Sequence, residues 1–520
     1  MEGKKMVLLA LLMTPGFYGH TQEIKIIENH SDLQPHPLAI INSEFREINL
    51  SISPDGKYLY FMSLRGGNTW SVEGYSIFRG KSRYDGDIWY SKKAAGQWTD
   101  PICLPPPVNT SSAEDEPNIS PDGNSVMYQS WKDSWLTDGG PYYISKLNGD
   151  KWENPEGMSG GINQYFKINF RDYEGYATDG ASLSPDGNIF MVALAPDYND
   201  SMDIYISRKD NGIWTYLKNT ALSTSGDERS IFIAGDNKTV YFASNGYAGF
   251  GGMDIFKTIL NDDDSFGEIQ NIGKPFNSEK DDQGFIVTAS GAESYFVRDD
   301  DIYYCDLRLA ADELKPLPSI IISGVVTDIF GYPLESEITI SKKETGQLKG
   351  KSTSNSKTGE YAVSILKEEG VFEKKVKANG HKIQKENFTL VDMGRFEEKT
   401  INTVLVEENT LLIHFDFDEV SLSEYDRSLL DSLVAEMYRN RRLRLMMEGH
   451  TDEQGTAEYN SSLSRERVEE VARYLREKGI PEGIMKLKAF GETSPRAGLT
   501  VVNRDALNRR VEIKVMELKR

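Results

Sequence analysis

Two charged residues near the C-terminal end stand at a spacing that could grip a small zwitterion. Asp452 lies in Gly449-His450-Thr451-Asp452-Glu453-Gln454-Gly455, and Arg467 closes the later run Asn460-Ser461-Ser462-Leu463-Ser464-Arg465-Glu466-Arg467. A carboxylate accepts hydrogen bonds from an ammonium, and a guanidinium offers a planar fork to a carboxylate. A ligand carrying both groups on one carbon would meet its complement here. Taken alone, the pair reads more simply as a surface salt bridge, worth at most about 1 kcal/mol.

Whether the two meet depends on the elements that carry them. Leu411-Leu412-Ile413-His414-Phe415 has the apolar character of a strand. Ser421 to Tyr438 reads as a helix, with Leu429, Leu433 and Met437 four apart on one face. Leu443 to Glu448 is a second strand, and Gly449-His450-Thr451-Asp452 leaves its end. A long helix then runs to about Lys478, stopped by Gly479 and Pro481. Val468, Val471, Ala472 and Leu475 give it a buried stripe. Strands near 484–490 and 509–516 complete an α/β unit of the order βαβαβ-(α)-β. Asp452 thus sits on a loop at a strand end, and Arg467 on the adjoining helix.

Two further blocks, Gly491-Glu492-Thr493-Ser494-Pro495 and Asn508-Arg509-Arg510-Val511-Glu512, follow in the same segment. The four blocks, in this order, resemble the OmpA-like peptidoglycan-binding domain over residues 408–520. The resemblance implies non-covalent binding of the diaminopimelate-type stem peptide, without catalysis. It places the family's ligand-binding Asp and Arg at Asp452 and Arg467. Thr451, Asn460, Leu463 and Ser464 match the surrounding motif, and Arg509 matches the Asn-Arg-Arg block. Two departures are visible: Val468 stands where Ala is usual, and Arg504-Asp505 replaces the usual Gly-Arg before Ala506.

The first three hundred residues repeat a different pattern. Ser53-Pro54-Asp55-Gly56, Ser120-Pro121-Asp122-Gly123 and Ser184-Pro185-Asp186-Gly187 each precede an apolar, aromatic strand. Ala234-Gly235-Asp236-Asn237 and Ala289-Ser290-Gly291 are decayed copies, and the five recur at intervals of 67, 64, 50 and 54 residues. Asp87-Ile88-Trp89-Tyr90, Asp203-Ile204-Tyr205, Asp254-Ile255-Phe256 and Asp301-Ile302-Tyr303 recur between them, each but the last followed by an aromatic residue at Trp98, Trp214 or Phe266, as is the second copy at Trp152. Asn42, Asn109 and Asn277 hold a common place ahead of the turns. Proline presets the first turn corner, Asp bonds nearby backbone and Gly takes the positive φ, so these aspartates are structural rather than catalytic. The period and alternation are those of a propeller. The repeats resemble the TolB-like, WD40-like β-propeller family over 22–312, with five blades counted and room for a sixth in 131–180. That resemblance implies a protein-binding face.

Residues 319–406 differ again. Gly324-Val325-Val326-Thr327-Asp328, Thr358-Gly359-Glu360-Tyr361 and Ala378-Asn379-Gly380-His381 mark strands and turns after the linker-like Lys315-Pro316-Leu317-Pro318. They resemble the carboxypeptidase regulatory-like domain, a transthyretin-like β-sandwich that is not itself a peptidase. The whole is expected to be multidomain and mainly β. The domain order resembles OmpA-family proteins of the Bacteroidetes envelope, including the peptidoglycan-binding component of the type IX secretion machinery, without its helical repeats.

Lys4 and Lys5, the apolar run Met6 to Met13 and Pro15-Gly16 have the layout of a secretory signal over 1–21. No Cys follows it for lipidation, and no other run is apolar enough to span a membrane. Residues 410–520 hold 19 basic and 20 acidic side chains, so nearly all of the net −21 falls on the preceding part. Such an acidic body disfavours nucleic acid and anionic lipid. Cys103 and Cys305 are expected as free thiols. The six histidines (20, 30, 36, 381, 414 and 450) have no metal-ligand spacing, and His450 reads as structural. Asp262-Asp263-Asp264 and Asp299-Asp300-Asp301 read as solvated turns. No nucleophile elbow, zinc signature or phosphate loop occurs, and no cofactor, metal or catalytic residue is expected. The expected function is a periplasmic wall anchor at the outer membrane, partnered by peptidoglycan and, through the propeller, by envelope proteins. The alternative is a wall-tethered envelope enzyme or ligand-binding protein acting through the propeller.

Overall fold

The computed structural model describes residues 24–517 apart from 28–31, 67, 69, 72, 79–80, 133, 171–175, 198–199, 329–330, 392–393, 395, 407–409 and 494–500. The expected secretory signal and the Ser494-Pro495 pair lie outside the described residues. The chain is mainly β and multidomain, with an α/β unit at its C-terminal end. No helix among the described residues is long and apolar enough to cross a membrane.

Five sheets of four or five strands, antiparallel but for the Lys25–Ile26 pairing, and the separate hairpin Glu73–Phe78/Lys81–Tyr84 occupy the first three hundred residues. Their first strands are Glu47–Ile52, Glu114–Ile119, Ala177–Leu183, Glu228–Ile233 and Asp282–Val287, and each continues as a meander. These first strands pack side by side in order, and Asp282–Val287 packs in turn on Glu47–Ile52. The N-terminal segment contributes to the last two sheets: Lys25–Ile26 pairs with Gln270–Asn271, and His36–Pro37 with Asp301–Asp306. The described part of 131–180 adds no sixth sheet. It supplies outer strands of the second and the helix Gly161–Phe170, which buries Ile162, Phe166 and Phe170.

The repeated turns behave as their residues dictate. In the first, Ser53 Oγ donates to Asp55 Oδ1 at 2.6 Å, the Lys57 N–H donates to the same oxygen at 3.1 Å, and Gly56 has φ +72°. Gly123 and Gly187 repeat this at +71° and +70°, and Asn237, in a decayed copy, reaches +62°. A second periodic feature had no sequence signal. Every first strand has a bulge at the same point, with positive φ at Asn49, Glu116, Gly180, Ser230 and Gly284. Only two of the five are glycine, so neighbouring strands rather than local propensity impose the conformation.

The recurrent asparagines pin one sheet to the segment leading to the next. Asn109 accepts from the Ile88 N–H and donates to its C=O, both at 2.9 Å. Asn277 does the same for Ile255, and Asn42 for Ile302, 260 residues away. Asn109 is fully buried. Replacing it by alanine should leave the Ile88 N–H and the Leu104 C=O without the partner Asn109 gives them and cost about 2 kcal/mol. The measurement is the chemical-denaturation midpoint of the full chain, and an unchanged midpoint would rule out this pinning role.

Two more sheets follow. Glu360–Leu366, Ser319–Asp328 and Phe396–Thr400 form one, joined by Thr403–Leu405; Leu348–Thr353, Glu337–Lys342, Gly370–Lys377 and Gln384–Leu390 form the other. Ile320, Ile322, Ile338, Ile340, Val363 and Phe372 close one core between them. Lys374 is fully buried in it, donating to Ile401 O and Thr403 Oγ1, and burial lowers its pKa to about 8. This unit rests on the turn side of the five sheets. Ser352 Oγ donates to Asp122, Ser364 Oγ to Gly235 O, Ser319 Oγ to Ala289 O, and the Leu317 N–H to Asp236.

Candidate functional site

The C-terminal sheet runs Thr410–His414, Arg510–Glu517, Leu443–His450, Met485–Gly491, with the last two strands parallel. The helices Glu424–Arg439 and Ala457–Glu477 carry its buried stripes, and a short helix Val501–Asn508 precedes the final strand. The order is the βαβαβ-(α)-β read from the sequence, with element ends moved by one to three residues. Ser423 and Asp426 form a reciprocal capping box on the first helix, and Thr456 Oγ1 caps the second by accepting from the Tyr459 N–H. Gly449 lets that helix approach the sheet. A Cβ there would lie 2.3 Å from Ser464 O and 2.4 Å from a Val468 methyl. The extra bulk of Val468 is thus taken up against a glycine.

Asp452 leaves the end of Leu443–His450 and is 4% exposed. Its carboxylate is paired with Arg509, Nη1 to Oδ2 at 2.9 Å, and accepts a longer bond from the Gln454 N–H. Arg467, expected opposite it, has no exposed surface at all. Its Nε donates to Glu419 O at 2.8 Å, Nη2 to Asp416 O at 3.1 Å and Nη1 to His450 O at 3.4 Å, with the guanidinium 5.2 Å from the Phe415 ring. The fork foreseen for a ligand is therefore spent on the loop after Thr410–His414. Burial lowers the Arg467 pKa to about 10, opposed by the Asp452 charge and reinforced by Arg509, so it stays cationic at neutral pH. Asp452, Arg467 and Arg509 together form a cluster of net charge +1. A carboxylate can be drawn to it while Asp452 still offers an anionic oxygen to an ammonium.

The remaining motif residues frame this cluster. Asn460 is fully buried; its Nδ2 donates to Glu492 and, at 3.3 Å, to Asp452 O, while its Oδ1 meets no donor. The Thr451 N–H donates to Gly491 O at 2.9 Å, and its buried hydroxyl also lacks a partner. Thr451 adjoins Asp452 in the chain and Asn460 is bonded to its backbone carbonyl, so two oxygens without a donor belong to its immediate neighbours. An ammonium, with three N–H donors, needs acceptors of this kind. Ser464 Oγ accepts from the Gly491 N–H at 3.0 Å and locks the neighbouring strand end, and Leu463 is buried beneath. Arg509 Nε donates to Phe415 O at 3.1 Å.

His450 lies inside rather than at the site. Its ring stacks on Phe490 at 5.4 Å, with Nε2 4.0 Å from the buried Glu512 carboxylate. Sequence reasoning gave no role to Glu492, although it stood in a quoted block, and missed the Asp416 and Glu419 carbonyls. A backbone acceptor has no residue type by which to be found. It also missed the buried Arg510–Glu512 pair, at 2.6 Å, beside His450.

Residues 414–509 match the OmpA family. The chain is 35% identical over 128 residues to a peptidoglycan-associated lipoprotein of Pseudomonas putida, covering 25% of this chain and 73% of that protein. It is 32% identical to the peptidoglycan-associated lipoprotein of Haemophilus influenzae, over 16% of this chain and 54% of the relative, and 34% identical to outer membrane protein A of Bordetella avium, over 20% and 53%. The chain thus spans about half the length of these last two. Among solved structures, the peptidoglycan-associated lipoprotein of Burkholderia pseudomallei is similar at 30% identity, with 20% of this chain and 89% of that chain covered and a TM-score of 0.20.

Proposed function

The chain belongs to the OmpA family through its C-terminal unit, and from that premise we propose that it is a non-covalent anchor to the diaminopimelate stem peptide of peptidoglycan. The observation that carries the reading is the cluster just described. A buried Asp452 is bonded to Arg509 and acts on the charge of Arg467, and its neighbours Thr451 and Asn460 each hold an oxygen without a donor, in the segment shared with relatives named for association with peptidoglycan. In this reading the ammonium of the diaminopimelate end is held by Asp452, Asn460 Oδ1 and Thr451 Oγ1. Its carboxylate is held by Arg509, with Arg467 behind supplying field and shape. The test is competition for binding of the full chain to purified cell wall. Free meso-diaminopimelate should displace the chain at a concentration at least tenfold lower than Nα-acetyl-lysine amide, whose ammonium has no carboxylate on the same carbon. Equal potency would overturn the assignment.

The five sheets are, in the same proposal, the blades of a five-bladed propeller that offers a platform to envelope protein partners. The cyclic packing of the first strands and the Asn42–Ile302 clasp between first and last sheets support this. The following two-sheet unit is read as the transthyretin-like sandwich, and the chain as periplasmic, facing the outer membrane and wall. Membership of the type IX secretion machinery rests on domain order alone. Cross-linking in intact cells should trap an outer-membrane protein on residues 24–312; recovery of cytoplasmic proteins alone would sink both the location and the platform.

A further inference from the structure

A cavity of about 250 Å³ lies where the two-sheet unit meets the second and third of the five sheets. Its floor is apolar, made by Ile119, Met127, Ile144 and Leu183, and the repeated turns at Pro121 and Pro185 form one wall. Lys351, Ser352 and Thr353 line the other. They are three consecutive residues of a strand that ends its sheet, so the space runs along a strand edge rather than across a face.

The neighbouring edge strand, Glu360–Leu366, is capped from outside its own sheet at two places. Glu360 O accepts from the Asn355 N–H at 2.9 Å and from Asn124 Nδ2 at 3.3 Å. Ser364 O accepts from Asn237 Nδ2 at 3.4 Å. Both carbonyls therefore point away from the paired strand Ser319–Asp328. By the period of two, the N–H and C=O of Ala362, midway between them, point the same way. Ala362 is 8% exposed and lines the cavity. An open strand edge is normally covered or charged, and here the cover is interrupted at one residue. The caps stand four residues apart, leaving roughly 13 Å of free edge at ~3.4 Å per residue. Charged side chains stand over the opening: Lys146, Glu153, Glu335 and Lys351. Lys351 is engaged by Glu337 at 2.7 Å, whereas Lys146 has no ion pair among the described residues.

We propose that this cavity is a binding slot for a short extended peptide of about three residues, which adds to the Ala362 edge through its main chain and places a free carboxylate against Lys146. Main-chain pairing gives affinity without sequence demand, and the spacing of the two caps along the edge sets the size limit. The carboxylate can come from a free peptide or from the chain end of a partner protein.

Hydrogen exchange on the full chain reads the slot directly. A pool of mixed-sequence tripeptides at millimolar concentration should slow exchange in 360–364 at least fivefold, and the same pool with amidated C-termini should do so markedly less. Lys146→Ala, on an exposed position, should keep the melting temperature and lose the difference between acid and amide. Twelve-residue peptides ending in the same tripeptides separate the sources: equal protection supports a partner's chain end, and its loss supports a free peptide. Absence of protection in 360–364 with every pool would overturn the slot. Equal protection by acid and amide in the unmodified chain would overturn the role of Lys146.

Discussion

Asp452→Ala should abolish co-sedimentation of the full chain with purified peptidoglycan, well beyond any loss of folded protein. Asp452 is the carboxylate bonded to Arg509 and the one that acts most strongly on Arg467, and the unpaired oxygens of Thr451 and Asn460 cannot replace its charge. Without it the ligand ammonium enters a largely buried place unpaired, and Arg509 loses its partner. Truncating one member of such a buried charged contact costs about 2–5 kcal/mol in binding, a factor of thirty or more. A purely structural buried pair between Asp452 and Arg509 would instead lose about 3 kcal/mol of stability or more when broken and leave wall binding of the folded chain unchanged. Normal sedimentation of the folded Asp452→Ala chain would therefore refute the anchor. Asp452→Asn sharpens the test: it keeps shape and one acceptor, so retention of full binding would show that charge is not what the site uses.

Arg467→Ala should do something different, lowering stability and binding together. Its guanidinium donates to three backbone carbonyls, from Glu419, Asp416 and His450, with no exposed surface. Removal leaves those acceptors without their donor and a void under the loop that also carries the Phe415 carbonyl bonded by Arg509. The loss should be about 3 kcal/mol or more, seen as a drop on the order of 10 °C in the melting of the C-terminal unit within the full chain. Lysine is no substitute, because a point charge cannot reach three carbonyls set around a planar fork, so Arg467→Lys should recover little of either property. If Arg467→Ala melts normally and loses only wall binding, the arginine is a direct ligand and its bonds to the loop are incidental. If it melts low and the folded fraction still binds the wall as tightly as the unmodified chain, Arg467 has no part in recognition.

These two residues show how far the sequence reaches. Residue types and spacing placed Asp452 at a strand end and Arg467 on the next helix, because an apolar stripe of period 3.6 and a glycine-marked strand end are local facts. They also identified the segment as OmpA-like and set the order of its helices and strands. The Ser-Pro-Asp-Gly turns were legible for the same reason: proline, a short acid and glycine dictate a turn whatever surrounds it. The pairing of charges was not legible. Arg509, 57 residues from Asp452, takes the partnership foreseen for Arg467, because the final strand brings it to the carboxylate at 2.9 Å while the loop at 416–419 claims the Arg467 fork. The five bulges at positive φ, set by strand-to-strand packing, left no mark on residue type at Glu116 or Ser230. Nor did the open edge at Ala362, whose meaning lies in what stands four residues apart on a strand and 236 and 127 residues away in the turns that cap it. The sequence by itself determined the elements, their order and the chemical kinds of group at the site, since these follow from short-range sterics and periodicity. Only the tertiary structure decided which groups meet, because a buried charge or carbonyl takes its partner from whichever strand the fold brings alongside.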